Sequence, residues 1–221
     1  MTNVADTAST TTNTVRAATV AVAPVLLTAA LIWHPYIDGR LPNDPAIADA
    51  VVDVGAARWG LVHLAAAVAS AVLILAFVAI RGYLREAGDP SRSAVGLAFI
   101  VLGSTAFAVL PGMEFGVLAA VESGGDAVAV QAAVDEWFLP VLLTGAVLFA
   151  IGIAFVAMAV VRYAALSRTT AWIVVIALVV MAAARTAPFA AAQFYVQSAA
   201  ALIALWPLAW AINRAGGTPP R

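Results

Sequence analysis

The feature that most constrains this chain is a succession of six apolar runs separated by short polar segments. A helix needs about 20 apolar residues to cross the hydrocarbon of a bilayer. The runs fall at about 17–34, 59–81, 94–114, 137–161, 169–187 and 188–212, the fifth reaching that length only with its flanks. Inside lipid every backbone N–H and C=O must be satisfied within its own segment, so runs of this kind are helices. Composition agrees: 64% of the 221 residues are hydrophobic and 10% charged, where a soluble domain has about 25% charged residues. The expected fold class is therefore an all-α integral membrane protein. It is a six-transmembrane-helix bundle forming one membrane domain over 17–213, with a disordered cytoplasmic tail at 1–16 and a second cytoplasmic tail at 214–221.

Arginines orient the bundle. With six spans, Arg16, Arg81, Arg85, Arg92, Arg162, Arg168, Arg214 and Arg221 share one side, and Arg40, Arg58 and Arg185 the other. Eight against three places both termini in the cytoplasm of a multi-pass protein of the plasma membrane. Trp33, Trp59 and Trp137 then fall at outer span ends, and Trp172, Trp206 and Trp210 at inner ends, as an aromatic belt requires.

The first outer loop carries a structure of its own. Asp44 is placed to cap a helix whose first position suits Pro45. Ile47, Val51 and Val54 follow at helical spacing, with Asp49 and Asp53 on another face, and Gly55 ends the segment. This predicts a short amphipathic helix lying in the interface. Pro111-Gly112 predicts a kink late in the third span.

Polar residues gather at the outer level. His34 ends the first span and His63 lies about one turn inside the second. Glu114 is near the outer end of the third, Asp135 and Glu136 open the fourth, and Arg185 ends the fifth. Gln193 and Gln197 share a face of the sixth, with Tyr195 beside them. An ionisable group at membrane depth is costly unless it faces the bundle interior and finds a partner. His34, His63, Glu114, Glu136, Arg185, Gln193, Gln197 and Tyr195 are thus the candidates for a polar pocket, with Glu114 the expected partner of His63. The bland alternatives are a helix-end charge for Asp135 and Glu136, headgroup snorkelling for Arg185, and helix-to-helix hydrogen bonds for the glutamines.

Several chemistries are excluded. The chain has no cysteine, and all 11 of its basic residues are arginine. Disulfides, thiolate metal sites, lysine Schiff bases and a Walker phosphate loop are absent with them. The net charge of −1 offers no field for nucleic acid. No Gly-x-Ser-x-Gly occurs. His34, His63 and Glu114 form a sensible donor set for zinc or iron, and the two histidines for haem. They are 29 residues apart, without metal-motif spacing, so no cofactor is expected. The leading expectation is an outward-facing pocket that binds or passes a small polar or amphiphilic ligand, without enzymatic activity. The alternatives are an accessory subunit, in a homo-oligomer or with a partner membrane protein, and a membrane metalloenzyme using the two histidines and Glu114. A small-residue face over Ala65 to Ala71 of the second span suits close helix contact in the accessory reading.

Overall fold

The computed structural model describes residues 4–41 and 43–216. Its elements are α1 (Val4–Trp33), α2 (Asp44–Glu86), α3 (Arg92–Met113), α4 (Phe115–Ser123), α5 (Ala127–Tyr163), α6 (Arg168–Ala184), a π-helical turn (Ala192–Val196) and α7 (Gln197–Ala215). No strand occurs among the described residues. Five helical segments are long and apolar enough to cross a membrane: Thr11–Trp33, Asp44–Glu86, Arg92–Ser123, Ala127–Tyr163 and Ala192–Ala215. The shorter apolar helix α6 has 17 residues.

Six helices close a ring in the order α1, α2, α3, α5, α6, α7, each packed on the next and α7 on α1. Leu73, Phe77, Ile80, Phe149, Leu178 and Leu205 fill its middle. Leu61, Leu64, Val68, Leu75 and Val78 of α2 are exposed along the outside. A helix apolar on both faces is what a lipid environment rewards and water does not.

The α3–α5 contact is the closest in the ring, and glycine is its cause. A Cβ built on Gly103 would stand 2.6 Å from the Phe149 nitrogen and 2.7 Å from the Gly145 carbonyl oxygen. One on Gly152 would meet Ile100 Cγ1 at 2.6 Å and the Gly96 carbonyl at 2.7 Å. Backbone thus lies on backbone, which no residue with a Cβ permits.

One end of the ring is tied by polar contacts. Arg16 Nη1 donates to both carboxylate oxygens of Glu86, at 2.8 and 2.9 Å. The Tyr83 hydroxyl accepts from the Ala165 N–H at 2.8 Å. Gly216 abuts Asn13, so the end of α7 packs beside α1 at this end of the ring. In the turn before α3, Asp89 accepts from the backbone N–H groups of Arg92 and Ser93 and from the Ser93 hydroxyl.

Two sequence expectations change here. The stretch read as a tail over 1–16 is helical from Val4, because Asn13 is buried and Arg16 is paired. These tertiary contacts offset the weak helix propensity of its threonines. Residues 1–3 and 217–221 lie outside the described residues. The side chain capping α2 is that of Asn43, accepting from the Ala46 N–H, with Asp44 already inside the helix. Gly55, at φ +74° and ψ 158°, ends the first arm as expected, dividing α2 into arms 44–54 and 56–86 that follow each other without a loop.

Candidate functional site

The other end of the ring holds a cavity of about 300 Å³. The helices α1, α2, α3, α5 and α7 contribute to its wall, α6 reaches it only through Arg185 at its C-terminal end, and no α4 residue lines it. Two features leave this space open. On α2, the wall positions one turn apart are the small residues Ala66 and Ser70. On the opposite side the chain leaves α6 at Arg185 and re-enters helix through the π turn, whose wider spacing marks interrupted packing. The arm 44–54 forms a lid-side wall: Ile47 and Val51 bury against Ile37, Trp59 and Val117 in a second small core, while Asp49 and Asp53 stay exposed. Burying side chains of this size stabilises by about 1.5–3 kcal/mol each, which holds the arm over the bundle. Leu41 N–H donates to the Pro188 carbonyl at 2.9 Å, joining this loop to the α6–α7 connection.

Six of the residues read as pocket candidates line the cavity: His34, His63, Glu114, Arg185, Gln193 and Gln197. Glu136 and Tyr195 do not. Glu136 is exposed, whereas its neighbour Asp135 lines the wall. Successive helical residues point about 100° apart, so only one of the two can face inward. Tyr195 is 47% exposed and stacks on Tyr36, with ring centroids 6.4 Å apart. It borders an outer groove between α6 and α7 lined otherwise by apolar side chains such as Ile173, Ile176 and Ile203.

The expected His63–Glu114 pair does not form. His63 Nδ1 instead lies 2.7 Å from the Trp59 carbonyl, and His34 Nδ1 lies 2.9 Å from the Pro35 carbonyl. A carbonyl only accepts, so each Nδ1 carries a proton, and in the neutral rings each Nε2 is left as an acceptor. The two rings lie 4.8 Å apart, flanked by Trp59 and Phe194. Among the described residues no group of three or more histidines and carboxylates is placed to hold a metal ion, so His34, His63 and Glu114 share a cavity without forming a ligand cluster.

Arg185 is the unusual member. It is 3% exposed, and its guanidinium carbon stands 3.8 Å from the Phe149 ring centroid and 4.3 Å from that of Phe107. Among the described residues Nε and Nη1 have no hydrogen-bond partner, and no carboxylate lies within 4.0 Å. A desolvated cation–π contact is worth about 2 kcal/mol, while removing a charge from water costs several. The rings alone leave Arg185 undercompensated. Snorkelling to headgroups does not describe a side chain this buried. Glu114 is also buried, 9% exposed, with Oε2 unpaired. Its backbone carbonyl accepts from Trp59 Nε1 at 3.4 Å.

Three wall residues escaped the sequence reading. Trp59 is 1% exposed and belongs to the wall, not to an aromatic belt. Gln131 is 1% exposed, donates to Asp135 at 2.8 Å and keeps Oε1 unpaired. It lies ahead of the fourth apolar run, but α5 begins at Ala127 and carries it inward. Phe107 carries no polar signal in the sequence, yet the Arg185 guanidinium stands over its ring.

No family model, no curated protein and no solved structure matches the chain. Its class rests on the fold itself: an all-helical chain whose five long apolar helices are consistent with a multi-pass membrane protein.

Proposed function

We propose that this is a multi-pass plasma-membrane protein of six spans, both termini cytoplasmic, whose outward-facing cavity binds or passes a small polar or amphiphilic ligand. One observation carries the reading. A single cavity with largely apolar walls gathers Arg185, Glu114, Gln131, both histidines and two further glutamines, and three of these side chains keep buried polar atoms unpaired. Apolar walls with a few convergent polar groups are the usual make-up of a small-molecule site. Buried polar atoms without partners are expensive in a structure that gains nothing from them.

The six-span count takes α6 as a crossing. Its 17 residues rise about 25 Å, short of a 30 Å hydrocarbon core but extended by Arg185 and Thr186 at one end. The meeting of Asn13 with Gly216 supports an even number of crossings. The excess of arginine at that end supports its cytoplasmic placement. In this reading arm 44–54 is the amphipathic helix of the interface, its apolar face packed on Ile37, Trp59 and Val117 and its Ile47 reaching the cavity.

The test uses the absence of native cysteine. Ser70→Cys places one thiol on the deep cavity wall. A small membrane-impermeant methanethiosulfonate added to intact cells should modify it, and should leave Ser104→Cys, buried in α3 away from the cavity, untouched. An unreactive Ser70→Cys beside a reactive Thr186→Cys at the exposed rim would sink the binding reading and leave an assembly subunit.

A further inference from the structure

Arg185 and Glu114 are opposite in sign, both buried, and both open onto the same cavity, yet they do not pair. A base and an acid that open onto one poorly screened interior attract unless packing holds them apart. The packing is visible. Phe107 and Phe149 fix the guanidinium toward the deep end of the cavity. Glu114 lies seven residues after Phe107, two helical turns or about 10 Å nearer the mouth. The cavity is therefore polarised along its length, with a cation at depth and carboxyls, Glu114 and then Asp135, toward the mouth.

We propose that this cavity holds a zwitterion, with its acidic group, a carboxylate or phosphate, on Arg185 and its ammonium group against Glu114. The proposal rests on the binding reading above and names the ligand class. A singly charged ligand satisfies one pole and leaves the other buried and unpaired. A zwitterion satisfies both and brings no net charge into the membrane. The surroundings of each pole fit. Nε and Nη1 of Arg185 are two free donors on a planar fork, suited to a carboxylate or phosphate. Trp59, whose indole N–H donates to the Glu114 carbonyl, and next to it His34 and then Phe194 line the same cavity and offer the aromatic faces that favour alkylammonium groups. Leu110 and Leu142, between the poles, offer an apolar wall to the linker. Such a molecule is either a free solute or the head group of a zwitterionic lipid.

Binding to the full chain, purified in a neutral detergent, separates these cases. The solute arm compares glycine betaine and γ-butyrobetaine with tert-butylacetate, which lacks the positive charge, and tetramethylammonium, which lacks the negative one. The lipid arm compares dihexanoylphosphatidylcholine with dihexanoylphosphatidylglycerol below their micellar range. The proposal expects a zwitterion to bind at least about tenfold more tightly than either singly charged analogue of its arm, and the arm in which this occurs identifies the source. Glu114→Gln should erase that preference while keeping acid binding, and Arg185→Gln should lose both. Equal binding of tert-butylacetate, or of the anionic lipid, overturns the proposal in favour of an anion site on Arg185 alone. Equal binding of tetramethylammonium overturns it from the other side. No binding in either arm, with Ser70→Cys still reactive from outside, overturns the zwitterion and leaves the pocket standing. If Arg185→Gln proves aggregated on size exclusion, the ligand series on the unmodified chain decides alone.

Discussion

Asp89 shows how much one side chain settles at the end of the bundle away from the cavity. Burial raises the cost of its charge, but the hydroxyl and N–H of Ser93 and the N–H of Arg92 outweigh it, holding the carboxyl below its usual value of 3.8. A carboxyl depressed in the folded state stabilises fully above its unfolded value, and the contribution is lost as pH falls through the lower folded value. Asp89→Ala should therefore cost about 1–2 kcal/mol between neutral pH and pH 5. The gap to the parent should close only below about pH 4 in detergent melts. A gap that varied between pH 5 and 8 would contradict the assignment. Site residues were legible where residue type alone implied a buried partner: His63 in an apolar run, and Arg185 against the charge bias. Which partner each would take was not. His63 bonds the carbonyl one turn back, a solution open to any helical histidine and invisible in the pattern. Arg185 rests on two phenylalanines that carry no polar signal.

At the scale of elements, small residues decide how closely helices approach, and the sequence signal was present in a different place from the one that drew attention. Ala65 to Ala71 of α2 make no single flat face: Ala69 is core, while Ala66 and Ser70 border the cavity. The close crossing belongs to Gly96 and Gly103 on α3 against Gly145 and Gly152 on α5, each pair seven residues apart. Alanine keeps a Cβ and glycine does not, so glycines at heptad spacing were the better guide. Gly103→Ala should drive its new methyl into the α5 backbone, which cannot yield, and destabilise by about 1–3 kcal/mol. Gly112→Ala on the same helix meets nothing within 4 Å. It should be neutral or stabilise by up to about 1 kcal/mol through helix propensity. Thermal melts of the pair test the crossing, and equal losses would refute it. α3 continues through Pro111 and Gly112 to Met113, and Glu114 stands at its joint with α4.

For the whole molecule, the succession of apolar runs made the helical class and the two ends of the bundle legible, because bilayer thickness sets run length and polar turns mark the ends. It could not show how the ring closes, since contacts such as those between α1 and α7 join distant parts of the chain. Nor does run length decide whether the 17-residue α6 crosses. That question fixes the topology, because five crossings separate the termini and six reunite them. Single cysteines answer it directly. Asp38→Cys, Ser123→Cys and Thr186→Cys are exposed at the cavity end, and Ala87→Cys and Ala165→Cys at the opposite end. With six spans, an impermeant maleimide should label the first three in intact cells and the last two only after permeabilisation. Ala165 and Thr186 flank α6, so they are the deciding pair. Labelling of both from the same side would mean that α6 does not cross, and would overturn the six-span count together with the shared outer level of Arg185 and Glu114.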